Sequence, residues 1–471
     1  MFKNLLQIGL ITILVSGCVR YVPRPIDPPA LEQSFRTRSI SDPNLEGFFS
    51  ANSPVKPAVW PPQSLDLEGL TILALYFSPD LDQARSRVEE AEAAIRTART
   101  KPNPSTAGGA GYTDAEQSPY AFRFDLGVPF ETAGKRQYRV RRAQQLTEAA
   151  RFSLGEAAWH VRSRLRSVLI DHLISSLEFQ QRTAEAEIRQ EVVRIYERRL
   201  EVGEVATPIV TAARTDLSRV QLEIEQLRGR ISETRVGIAG AVGLPVAAMD
   251  VLQFALTDLE TPPSEEALDL QAVQKTGLTN RLDVQRLLAE YAAADSDLRL
   301  QLARQHPDIS LEPSYAFEEG ANIYMLGPGL LLPLFDRNRG PIAEGEARRA
   351  TASARFLGAQ ATAISEVERA LADYRSALRE LTQARTTLDL VRNREQTTQR
   401  QLEAGEVDRL ALVSVRLEAT AGDRERLGAL RRAQSAMGAV EDSVQHPLPA
   451  GTTMPQATPA NPREKKEGPS R

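Results

Sequence analysis

Tyr120-Ala121-Phe122-Arg123-Phe124-Asp125-Leu126-Gly127-Val128 breaks the rhythm of the chain around it. On either side, apolar residues recur every three or four positions. Here Tyr120, Phe122, Phe124, Leu126 and Val128 alternate with Ala121, Arg123, Asp125 and Gly127, which sends the apolar set to one face of a strand and a charged pair to the other. Ser105 to Thr113, just upstream, is Gly/Ala-rich, and Asp114 to Pro119 supplies turn residues, so the spacing predicts two strands over about 104–129. The pattern returns further on. Ile309, Leu311, Pro313, Tyr315 and Phe317 alternate with Ser310, Glu312, Ser314, Ala316 and Glu318; Glu319-Gly320-Ala321 turns, and Ile323 to Leu332 comes back, giving two more strands over about 308–333. Each strand has roughly ten residues, the length a tilted strand needs to cross a bilayer. In such a strand Arg123, Asp125, Glu312 and Glu318 are tolerable only where they face water, so they are expected to line a lumen.

The recurrence extends along most of the chain. Leu65-Asp66-Leu67-Glu68 reappears as Leu268-Asp269-Leu270-Gln271, Asp80-Leu81 as Asp283-Val284, Pro104 and Tyr112 as Pro307 and Tyr315, and Val128-Pro129-Phe130 as Leu332-Pro333-Leu334. Leu200-Glu201-Val202-Gly203-Glu204-Val205 returns as Leu402-Glu403-Ala404-Gly405-Glu406-Val407. Landmarks in one order, at an offset of about 203 that drifts by only a residue or two, mark an internal duplication, with units at 65–249 and 264–447 and a connector at 250–263 that carries a short strand in Val251 to Ala255. In each unit a short helix precedes the hairpin: Leu65 to Phe77 reads as amphipathic, and Asp80 to Lys101 places Leu81, Ala84, Val88, Ala91, Ile95 and Ala98 on one side. After the hairpin, Tyr138 to Glu201 and Ile342 to Glu403 are proline-free helical patterns, roughly 90 to 100 Å of rod each. Gly203 and Gly405 mark tip turns at about 203–207 and 405–408, and return helices run to about Val242 and Val440.

The ends are different in kind. Lys3, the apolar run Leu5 to Val15 and the lipobox Val15-Ser16-Gly17-Cys18 read as a signal peptide over 1–17 with Cys18 acylated after cleavage. Cys18 is the chain's single cysteine and has no disulfide partner within it. Val19 follows, and among bacterial lipoproteins that resembles the outer-membrane sorting pattern. Residues 18–64 are rich in proline and read as an extended, non-helical segment running from the lipid anchor along the body. Residues 448–471 read as a disordered tail.

The 471 residues carry a net charge of -4 with both signs interleaved, so no basic patch points to nucleic acid. Gly134-Lys135 fails as a phosphate loop because Pro129 stands where the first glycine is needed. His160, His172, His306 and His446 include no pair at ligand spacing and no neighbouring cysteine, so neither a metal site nor a cofactor is expected. No nucleophile–base set has a framing motif, which excludes the common enzyme classes.

Four strands cannot close a barrel, and an open edge in lipid leaves backbone groups unsatisfied at several kcal/mol each. Three copies would supply twelve strands. The duplicated landmarks, the lipobox, Gly127-Val128-Pro129-Phe130 and Leu332-Pro333-Leu334-Phe335-Asp336-Arg337-Asn338-Arg339-Gly340 together resemble the TolC-type outer-membrane efflux family, and the last stretch is similar to its heavy-metal branch. The resemblance implies a mainly α protein with membrane β: a homotrimer with a 12-stranded outer-membrane barrel and a long periplasmic α-helical barrel. It also implies a passive exit duct for a periplasmic adaptor protein and an inner-membrane RND-type pump. Gly203, Glu204, Val205, Gly405, Glu406 and Val407 would then form the adaptor-docking tip, and Glu204, Glu406 and Asp408 an acidic ring favouring cations. A drug or dye duct, a coiled-coil lipoprotein tethering the outer membrane, a general porin, and a soluble sheet packed on its own helices are the competing readings.

Overall fold

The computed structural model describes residues 21–53, 59–114, 118–268, 273, 281–448 and 463. Its frame is two long helices, α5 (Lys135–Glu201) and α9 (Arg339–Glu403), each returning through a half-length partner, α6 (Thr207–Val242) and α10 (Arg409–Val444). At 67 residues α5 is roughly 100 Å long, so α6, with 36 residues, covers only its distal half. The proximal half is covered by α4 (Pro79–Arg99) and α8 (Leu282–Ala303), which lead into the two strand hairpins. Each repeat is thus one continuous rod beside an interrupted one.

The interruptions fall at one level, and there the core is thickest. Helix α3 (Leu67–Phe77) is buried on every side from Gly69 to Phe77, so it is a plug and not the amphipathic helix that its composition predicts. Leu70, Leu73, Leu75 and Phe77 pack in one cluster with Leu165 and Leu169 of α5, Val242 of α6 and Leu430 of α10. The one-turn helix α7 (Val246–Met249) leads to Gln253–Phe254 (β4), which pairs in parallel with Ser64–Leu65 (β1) and draws the connector into the same layer. The expected second counterpart of α3, at 268–271, lies outside the described residues except for the buried Leu268.

Where α6 ends and α4 begins, backbone meets backbone. Gly243 takes φ 87°, its N–H and that of Leu244 close on the Ala239 carbonyl, and a Cβ there would stand 2.7 Å from the Phe77 carbonyl oxygen. Arg38 donates to the Phe77 and Gly243 carbonyls at 3.1 and 2.8 Å, filling acceptors that a helix end leaves open. The second repeat makes the same junction with other residues. Gln445 at the end of α10 accepts the Leu282 N–H through its side chain at 2.7 Å, and Arg281 donates to the Ser443 carbonyl at 3.2 Å. Beside it, Glu441 of α10 accepts from Arg162 at 2.9 Å and faces Arg166 at 3.3 Å, and Asp442 accepts from Trp159 and Ser163, each at 2.8 Å. These contacts tie the first rod to the second repeat.

The N-terminal segment departs from expectation. Residues 18–64 are not wholly extended, because Pro28–Arg36 (α1) and Pro43–Asn52 (α2) are helical. Both start on an Asp-Pro pair. Asp27 and Asp42 accept the Ala30 and Asn44 N–H groups, and the following proline occupies the first turn, where its missing N–H costs nothing. The expected signal peptide at 1–17 and Cys18 lie outside the described residues, as does the tail at 448–471 apart from Leu448 and Arg463, which pairs with Asp82.

Gly243→Ala should lower stability by about 1–3 kcal/mol, since it adds both a strained backbone and a clash. Glu441→Ala, which removes the carboxylate paired with two buried guanidiniums, should cost about 3–5 kcal/mol. Denaturant unfolding of the two variants checks both values, and wild-type midpoints would refute the junction's role.

Candidate channel wall and helical tips

The two hairpins form one antiparallel sheet in the order β2 (Ser105–Tyr112), β3 (Tyr120–Phe130), β5 (Ile309–Glu318), β6 (Ala321–Leu330). Opposed residues in such a ladder share a face, so the register sorts the side chains. Phe122 opposes Phe317, Phe124 opposes Tyr315, and Phe130 opposes Ile309; across β6, Tyr315 opposes Tyr324 and Ile309 opposes Leu330. That face is mainly apolar, with Thr106 opposite Leu126 and Asn322 opposite Phe317 as polar members on the two edge strands. The other face holds Arg123, Asp125, Glu312 and Glu318, all four residues expected to line a lumen, together with Ser105, Ala107, Gly109 and Gly111 of β2. Arg123 and Asp125 pair at 2.9 Å, and Glu312 accepts from Ser310 at 2.6 Å. Tyr120, Phe122 and Phe124 are about half exposed, so the apolar face does not pack against the protomer's own helices.

The sheet is fixed to the rods by a collar below β3 and β5. Lys135, the first residue of α5, donates to the His306 carbonyl and to Asp308 at 2.7 Å each, while Thr132 donates to the Pro307 carbonyl at 2.6 Å through its hydroxyl and to Asp308 at 2.9 Å through its N–H. Gly134 precedes α5 in the left-handed conformation at φ 72°, and Asn338 precedes α9 at φ 59°.

At the far end the two tips are near copies. Gly203 and Gly405 take φ 78° and 76°; Glu204 N–H closes on the Arg199 carbonyl and Glu406 N–H on the Gln401 carbonyl, the backbone arrangement that a left-handed residue after a helix permits. The return helices start differently. Helix α6 opens on Pro208 in its first turn, whereas α10 opens on Asp408, whose carboxylate accepts the Ala411 N–H at 2.9 Å. Asp408 also pairs with Arg199 at 2.8 Å, and Arg409 pairs with Glu191, so the free ends of the two helical hairpins are bound to each other. Glu204 and Glu406 are exposed, and Val205 and Val407 half-buried. Arg199, Glu191 and Arg409 were not foreseen; among so many interleaved charges, only the Asp408 cap had a local signature.

Among the described residues no cluster of three or more potential metal ligands occurs. His172 contacts the Thr234 hydroxyl at 2.9 Å, and burial pushes its pKa down, which marks it as a packed neutral imidazole. No described helix is long and apolar enough to cross a membrane.

The Ala411 N–H, then the Arg199 guanidinium, holds the Asp408 carboxyl below the ordinary range. A lowered pKa contributes stability that is complete above the ordinary value and lost as pH falls through the lowered one. Hydrogen-exchange protection at residues 404–412 should therefore fall as pH drops below about 4. Asp408→Ala should show the reduced protection already at neutral pH; equal protection in the two proteins would dismiss the latch.

The description of the outer membrane efflux protein family matches residues 71–244 and 274–442, one segment in each repeat. The cobalt-zinc-cadmium resistance protein CzcC of Cupriavidus metallidurans is 26% identical over 59% of this chain and 65% of its own length, so the chain spans just under two thirds of that relative. The pyoverdine export outer membrane protein OpmQ of Pseudomonas aeruginosa is 27% identical over 77% of this chain and 85% of its own. Among solved structures, the outer membrane protein VceC of Vibrio cholerae superposes with a TM-score of 0.65 at 18% identity, covering 80% of this chain and 95% of that one. With both repeats matched and the fold shared, the chain belongs to the outer membrane efflux protein family.

Proposed function

We propose that three copies close a twelve-stranded barrel in the outer membrane and that the joined helices extend its bore into the periplasm as a passive exit duct. The observation that carries this reading is the sheet itself: an apolar outer face, a face bearing Arg123, Asp125, Glu312 and Glu318, and two outer edges, on β2 and β6, with no strand partner among the described residues. In lipid those edges require strands from other copies. The cargo reading leans toward heavy-metal cations, supported by the likeness to a cobalt-zinc-cadmium resistance protein. Export of a larger organic molecule is the second reading, favoured by the likeness to a pyoverdine export protein. Cys18 carries the lipid anchor in this proposal, and an adaptor protein and an inner-membrane pump of the RND type engage the tips at Gly203 to Val205 and Gly405 to Val407.

Asp408 caps its own helix and pairs with Arg199 at 2.8 Å, while Glu204 lies 3.9 Å from the same guanidinium, so the acidic ring near the aperture rests on Glu406 and, more loosely tied, Glu204. Purified full-length protein should run as a heat-resistant trimer and conduct ions in planar bilayers with a preference for cations. Glu204→Ala combined with Glu406→Ala should weaken that preference. A stable monomer without conductance would defeat the duct, and unaltered selectivity in the double variant would defeat the ring. A deletion strain that loses metal tolerance but keeps dye and siderophore export would separate the two cargo readings.

A further inference from the structure

The duplication makes the β3–β5 seam inside one protomer a template for the seam between protomers. By sequence, β2 corresponds to β5 with a step of 203, from Tyr112 to Tyr315, and β3 to β6 with a step of 204, from Phe130 to Leu334. The structure tests these steps independently. Carried forward, the rung Ser105–Gly127 of the first hairpin becomes Asp308–Leu331, which is the next rung beyond Ile309–Leu330 in the second. Sequence landmarks and ladder registers therefore agree without a slip.

The same steps carry the β3–β5 seam onto β6 and the β2 of a second copy. Val128–Leu311 becomes Leu332–Gly108, Phe130–Ile309 becomes Leu334–Thr106, and Phe124–Tyr315 becomes Pro328–Tyr112. Each of these rungs keeps both residues on the apolar face, which nothing in the arithmetic guarantees. The bore face gains the rung Leu331–Gly109. The carried seam also runs past the present end of β6 at Leu330. Beyond it, Leu331, Leu332 and Leu334 are largely exposed and Phe335 fully so at 102%, and among the described residues the Leu334 N–H bonds to the Leu332 carbonyl at 2.9 Å. A run of exposed apolar side chains that belongs to no strand ladder is what an unfilled strand seat looks like.

We infer that Leu331 to Leu334 are completed as strand only on assembly, against Gly109 to Thr106 of the next copy, and that Arg339 then locks the seam. Arg339 holds the place of Lys135: each is the first residue of its long helix, behind a left-handed cap. Lys135 reaches the His306 carbonyl, and the equivalent acceptor for Arg339 is the Asn103 carbonyl of the next copy. Within its own protomer, the Arg339 side chain has no hydrogen bond or ion pair among the described residues. This register rests on the proposed trimer, but it can fail while the trimer stands.

Cysteine pairs decide it. Opposed residues in an antiparallel ladder lie within disulfide reach, whereas a rung two residues away does not, at about 7–8 Å. In full-length protein oxidised in detergent or membranes, Leu331→Cys with Gly109→Cys should yield covalent trimers on denaturing gels. Leu331→Cys with Gly111→Cys, or with Ala107→Cys, should not. A Cβ at Gly109 meets nothing within 4 Å, so that substitution leaves the strand undisturbed, and the parent chain with Cys18 alone is the background. Cross-linking through position 111 or 107 in place of 109, or unlinked trimers from all three pairs, would overturn the register and spare the trimer. Monomers throughout would remove the trimer itself. As an independent measure, Arg339→Ala should lower the temperature at which trimers dissociate in detergent and Arg339→Lys should restore it; equal dissociation temperatures in all three proteins would overturn the lock.

Discussion

A helix of 67 residues draws little stability from its own length and depends on what lies beside it. In this protein the neighbour is always in two pieces. Helices α6 and α4 abut beside α5, and α10 and α8 abut beside α9, so the wall contains two places where orphaned carbonyls and N–H groups meet inside packed structure. The rest of the design follows from filling those gaps. Arg38 closes one by bonding two helix ends at once, while Arg281 and the Gln445 side chain close the other. The buried α3 plug, the β1–β4 pair and the Arg162–Glu441–Arg166 cluster all gather near this level, where the lateral support changes hands.

The two repeats answer equal geometric demands with unequal chemistry. One return helix begins with a proline in its first turn and the other with an aspartate cap; one long helix is preceded by a glycine and the other by an asparagine, both left-handed. Lys135 is sealed into a collar, while the Arg339 side chain has no hydrogen-bond or ion-pair partner among the described residues. Divergence of this kind keeps backbone geometry and exchanges the side chains that satisfy it.

Much of this was legible in the sequence because it is local. The period change at Tyr120 located β3 nearly to the residue, the glycines at 203 and 405 located both tips, and the proline-free runs located both rods. What escaped was of two sorts. Proline was read as a breaker between residues 19 and 62, although behind Asp27 and Asp42 it starts helices, since the same missing N–H is harmless in a first turn. Long-range polar pairs were invisible. Arg162 with Glu441 and Arg199 with Asp408 are separated by more than two hundred residues, and nothing in their local pattern distinguishes them from the charges that coat any solvated helix.

The outward aromatic band has a consequence for the newly made chain. Tyr120, Phe122, Phe124 and Tyr324 remain open to solvent in the isolated protomer, as does the leucine run after β6. A copy crossing the periplasm alone would present that band to water, where sticking to the wrong partner competes with finding the right ones. The helical part has buried clusters of its own, so in a lone copy the cost of waiting falls chiefly on the unfinished sheet and the leucines that follow it.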